Sequence, residues 1–157
     1  MSYAIRLPRL ALAILMSTGL AVTASAQSQP SKGEQALKYR KSLYQVIAWN
    51  VGPMGAMAQG KAAFDSAEFA RRAEAVAFLT PMLREGYPEE TRTVEGTKLK
   101  PEMWQNRADF DTKLKNLVDR SAELSKVARA GDEAASKQAF FDMANTCKAC
   151  HDKYKAD

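Results

Sequence analysis

From Ser31 onward, apolar residues recur three and four positions apart in four blocks, a spacing that suits helices and leaves no run alternating as a strand would. Ala, Leu, Lys, Glu and Gln dominate these blocks, which adds helix propensity to the pattern. The first block opens at a capping box, Ser31 with Glu34, and carries Leu37, Arg40, Leu43, Tyr44, Ile47, Ala48 and Val51. Gly52 and Pro53 predict a bend or short break there, because proline removes an internal hydrogen bond, and Gly60 predicts the end. The second block starts at Asp65 with Glu68 and presents Phe69, Ala73, Val76, Ala77 and Leu83. It stops at Gly86, with Pro88 beyond.

The third block begins with Pro101 in its first turn and presents Trp104, Phe110, Leu114, Leu117, Val118, Leu124 and Val127 before Gly131. Asp132 caps the fourth, which runs through Ala135, Ala139, Phe140, Met143, Cys147 and Cys150 toward Tyr154. Short joints after the first and third blocks make those neighbours antiparallel, while residues 86–100 form a longer link. The expectation is an all-α, up-and-down antiparallel four-helix bundle. Its apolar stripes are first of all core.

The 157-residue chain also has a distinct beginning. Arg6 and Arg9 precede an apolar run from Leu10 to about Val22, and Ala24, Ser25 and Ala26 follow. That order predicts a secretory signal peptide over residues 1–26 and a single domain over 27–157. The run falls short of the roughly 20 apolar residues needed to cross a bilayer, so no membrane span is expected in the mature chain. Removing Arg6 and Arg9 lowers the formal net charge of +5 by two, leaving a mild positive bias over a mixed surface. The lysines are scattered over helix faces without interleaved aromatics, which gives no nucleic-acid signature.

Both cysteines and the only histidine lie together in "CKACH", residues 147–151. On a helix, Cys147, Cys150 and His151 project from one face. Two thiols can add to the two vinyl groups of a porphyrin while the next residue offers an imidazole to the iron, so the motif predicts one covalently attached haem c per chain. Export agrees with this, since such haem is ordinarily attached outside the cytoplasm.

Three other readings compete. A disulfide between residues three apart closes almost no loop and stabilises little. A thiol redox site wants its cysteine at a helix N-terminus, whereas this pair lies late in its helix. Zinc needs about four ligands, so a carboxylate or water would have to complete the set. The six residues after His151 contain no methionine, and a second axial ligand would have to come from upstream.

Three segments together resemble the cytochrome c′ family, the four-helix-bundle c-type cytochromes of the bacterial periplasm. They are "LKYRKSL" (37–43), "KPEMW" (100–104) and "CKACHDKYK" (147–155), and the resemblance spans essentially the whole mature chain. It implies a five-coordinate, high-spin iron whose single protein ligand is His151. It also implies a distal face closed by Tyr44, with Leu43 and Ile47 beside it. Arg40 and Lys41 match positions that approach the haem propionates, where opposite charge makes the contact sensible. Thr97 and Lys98 match a segment near the haem edge, Trp104 matches a residue packed on or near the haem, and Lys155 matches a basic residue beside the proximal face.

A low-spin branch of the same fold, resembling cytochrome c556, carries a methionine near the start of the first helix. Met54 and Met57 lie two to three turns beyond that point. The resemblance therefore implies a periplasmic haem protein that binds diatomic gases such as nitric oxide and carbon monoxide, or exchanges electrons with an unidentified redox partner, or does both. The low-spin electron carrier is the alternative. An enzyme is not expected, because committing His151 to iron leaves no histidine for distal acid-base work. The family also commonly forms homodimers through its first two helices.

Overall fold

A computed structural model describes residues 29–156. The expected signal peptide, residues 1–26, lies outside them. Five helices form the scaffold: α1 (Lys32–Ala58), α2 (Ser66–Leu79), α3 (Glu102–Gln105), α4 (Arg107–Arg129) and α5 (Glu133–Tyr154). Helices α1, α2, α4 and α5 make the antiparallel four-helix bundle expected from the apolar blocks, and α3 is a single turn ahead of α4. No helix among the described residues is long and apolar enough to cross a membrane.

The caps act as the sequence implies. Ser31 accepts from Glu34 N while the Glu34 carboxylate accepts from Ser31 N. Asp65 and Asp132 accept from Glu68 N and Ala135 N. At the other end of α1, Gly60 adopts φ +70°. Its N–H donates to Met57 O, and Lys61 N donates to Ala56 O, the paired bonds of a Schellman stop.

Three features differ from expectation, each for a local reason. Pro53 lies inside α1 without interrupting it. The carbonyl that proline leaves without its helical donor belongs to Trp49, and Arg72 of α2 donates to it at 3.1 Å. The second block does not stay α-helical to Gly86. Pro81 removes a donor, and the chain tightens into a 3₁₀ helix over Thr80–Gly86. The third block is broken at Asn106 (φ −121°, ψ 44°), whose side-chain amide donates to Glu102 O at 3.0 Å and competes with the regular ladder.

The core runs the length of the bundle. Phe69, Val76, Leu83, Leu124 and Met143 are fully enclosed, and Phe69 meets Phe140 edge to face with centroids 6.2 Å apart. A buried pair, Thr80 with Ser121 at 2.7 Å, satisfies the hydroxyls that α4 and the 3₁₀ segment bring inside. Helices α4 and α5 pack closely along their length, whereas α1 and α5 meet only sparsely. The space between those two is where the site lies.

Candidate haem site

A cavity of about 500 Å³ opens between α1 and α5, with the 86–100 link and the start of α4 closing its sides. That volume falls within the range of ligand pockets. Helix α1 contributes Leu37, Arg40, Lys41, Tyr44, Gln45 and Ala48; α5 and its exit contribute Cys150, His151, Tyr154 and Lys155. Tyr87, Lys98, Leu99 and Phe110 complete the wall. A larger groove of about 860 Å³ runs between α4 and α5, but its wall of Lys113, Asp119, Arg120, Glu123 and Asp142 is mixed in charge and has neither thiol nor imidazole. The smaller, more apolar cavity is the one equipped for a porphyrin.

The helical spacing brings the motif to this cavity with one distinction. Cys150 and His151 stand on the wall, while Cys147, one turn earlier, is half-buried and packs against the core beside it. Both thiols are free, and burial raises both above the usual thiol range. They are therefore poor thiolates at neutral pH, the opposite of what a thiol redox centre requires. Burial, reinforced by Lys155 and opposed by Asp152, lowers the His151 pKa and keeps the imidazole neutral with a lone pair to give. Among the described residues no group of three or more His, Cys, Asp or Glu side chains is placed to hold a metal ion.

Opposite the motif stands Tyr44. Its hydroxyl is 2.8 Å from that of Tyr87, and burial, then Tyr87, drive its pKa far above the usual phenol range. Both influences favour the neutral phenol. Arg40, only 6% exposed, donates to Gly86 O at 2.9 Å and to Thr97 Oγ1 at 3.0 Å, with its guanidinium carbon 4.6 Å from the Tyr87 ring centre. Arg40 thus fastens the link to α1 while also facing the cavity. Gly86 permits the approach: a Cβ there would lie 2.8 Å from Arg40 Cβ.

The other expected residues divide. Lys41, Lys98 and Lys155 are exposed at the cavity wall and supply positive charge for carboxylates such as propionates. Thr97 is not on the wall; it touches the site through Arg40 and accepts from Leu99 N at 3.3 Å. Trp104 packs half-buried against the core, with the Arg107 guanidinium 5.9 Å from its ring, and does not line the cavity.

Tyr87, Phe110 and Tyr154 also stand on the wall, although the sequence shows Phe110 only as part of an apolar stripe, Tyr154 only as a helix end, and carries no signal for Tyr87. They form an edge-to-face row, with centroids 4.7 Å apart for Tyr87 and Phe110 and 5.6 Å for Phe110 and Tyr154. Tyr154 then donates to Asp109. A short antiparallel bridge, Lys100 N to Tyr154 O and Ala156 N to Lys98 O, both 2.8 Å, ties the end of α5 to the link directly beside His151.

The residues present fit a covalently held haem: two neutral thiols, one neutral imidazole, aromatic walls and cations at the mouth. The comparisons agree. The family model described as Cytochrome C′ matches residues 35–155. A cytochrome c′ of Alcaligenes xylosoxydans xylosoxydans is 34% identical over 127 residues, covering 81% of this chain and 98% of the relative. Cytochrome c prime from Shewanella frigidimarina superposes with a TM-score of 0.77 at 38% identity, covering 82% of this chain and 100% of that one. A nitric oxide complex of a cytochrome c prime variant from Alcaligenes xylosoxidans gives 0.73 at 32% identity, covering 82% and 100%.

Proposed function

The chain belongs to the cytochrome c′ family, whose members carry covalent haem c, and on that premise we propose that it binds diatomic gases at a five-coordinate iron in the periplasm. When bound, the haem supplies a ferrous iron that takes up neutral diatomics and a ferric state reached by one-electron loss. Cys147 and Cys150 anchor it, and His151 is the one protein ligand.

The observation that carries this reading is the composition of the cavity wall. His151 is its sole imidazole, and Met54, Met57, Met82, Met103 and Met143 all lie off it. Tyr44, held neutral by burial and by Tyr87, does not compete for the metal. The nitric oxide complex of the Alcaligenes relative supports the same ligand class.

Electron exchange is a second use of the same site, favoured by Lys41, Lys98 and Lys155 around the mouth, which suit an acidic redox partner. We assign no enzymatic role, since His151 is the chain's only histidine and is committed to iron. A homodimer through α1 and α2 is supported by exposed apolar side chains: Val46 (48%), Trp49 (75%) and Phe78 (69%).

The test is the absorption spectrum of the reduced holoprotein before and after carbon monoxide, then nitric oxide. A high-spin spectrum that shifts with each gas is expected. A low-spin spectrum indifferent to carbon monoxide would replace this reading with a dedicated electron carrier.

A further inference from the structure

Tyr44 and Tyr87 share one hydrogen bond, and among the described residues neither hydroxyl has another partner. Two hydroxyl hydrogens serve a single contact, so one is left over, and it sits on whichever phenol accepts. If Tyr87 accepted, Tyr44 would spend its hydrogen on the wall and offer a guest only lone pairs and ring. If Tyr87 donates, Tyr44 keeps a hydrogen for the cavity.

The surroundings of the two phenols are unequal. The Arg40 guanidinium lies over the Tyr87 ring, and Arg107 donates to the Tyr87 backbone carbonyl at 2.9 Å. Positive charge beside a phenol draws electron density from its oxygen and makes it the better donor. Burial raises both phenols, but at Tyr87 the charges of Arg40 and Arg107 pull the other way, whereas the largest contributions at Tyr44 all raise. Arg40 also faces Tyr44, but its pull there is the weaker of the two.

We propose that Tyr87 is a positioning residue: it donates its hydroxyl hydrogen to Tyr44, which fixes the Tyr44 ring and leaves the Tyr44 O–H as a hydrogen-bond donor to a diatomic guest of the cavity. This rests on the gas-binding reading above and gives Tyr44 a polar role in place of an apolar lid. Tyr87 acts only through Tyr44. Arg40 sets the polarity, so the clamp that fastens the 86–100 link also decides which way the hydrogen bond runs.

The experiment compares the carbon monoxide complex of reduced holoprotein in four forms: wild type, Tyr44→Phe, Tyr87→Phe and Tyr39→Phe. Tyr39 is a control, since its hydroxyl donates to Met82 O outside the cavity. The infrared C–O stretch should move in the same direction in Tyr44→Phe and Tyr87→Phe and stay put in Tyr39→Phe. The gas off-rate should rise about two- to tenfold in the first two, the span of one neutral hydrogen bond. Ultraviolet resonance Raman of the gas-free protein should show Tyr87 as donor and Tyr44 as acceptor.

A stretch that moves in Tyr44→Phe and not in Tyr87→Phe would overturn the positioning role. A stretch unmoved in both would make Tyr44 an apolar lid. Failure of the gas-binding reading looks different: no form changes spectrum with carbon monoxide, while the Raman bands still assign donor and acceptor within the pair.

Discussion

Arg40 shows how a single buried charge organises this site. Its two terminal nitrogens hold Gly86 and Thr97, and its planar face covers Tyr87, an arrangement that a lysine's single ammonium cannot reproduce. Arg40→Lys should therefore lower stability by about 1–3 kcal/mol, read from denaturant midpoints. Asp109 provides a pH-dependent counterpart. Tyr154 and Lys153 donate to its carboxylate and hold its pKa below the usual carboxylate range. A depressed carboxylate stabilises the fold above its unfolded pKa and loses that contribution as pH falls through the folded value. The fold should thus lose stability below about pH 4, and Asp109→Asn should flatten that acid limb of a midpoint-against-pH curve.

At the scale of elements, two glycines in α1 should respond oppositely to alanine. A Cβ at Gly33 would run into Glu90 O, so Gly33→Ala should push the link off the helix and lower the melting temperature. Gly52 has open space around it, and Gly52→Ala should stabilise by about 0.5–1 kcal/mol through helix propensity alone. Arg72→Met should cost about 1 kcal/mol by stripping the donor from the Trp49 carbonyl that Pro53 leaves unpaired.

The helix starts were legible because a cap is local: Ser31, Asp65 and Asp132 need only the residue three positions on. Pro81 is passed over by a reading that keeps the second block helical to Gly86, although its missing donor is what tightens the chain into the 3₁₀ turn. Pro53 was not, because what keeps α1 continuous is an arginine from another helix. Asn106 looked like an ordinary helix residue until its side chain competed for Glu102 O. The site divides the same way. Cys150, His151 and Lys41 sit in short motifs and Tyr44 directly follows one, while Tyr87, Phe110 and Tyr154 converge only when the link, α4 and α5 pack together.

For the whole molecule, the sparse meeting of α1 and α5 follows from what lies between them. Packing α1 on α2, α2 on α4 and α4 on α5 while leaving the α1–α5 seam open creates a cavity with the motif on one helix and Tyr44 on the other. In the proposed holoprotein His151 is the sole protein ligand of the iron. Electron paramagnetic resonance of the purified ferric holoprotein, without added ligand, tests it most directly. An axial high-spin signal is expected; a rhombic low-spin signal would reveal a second strong protein ligand and overturn the single-ligand site.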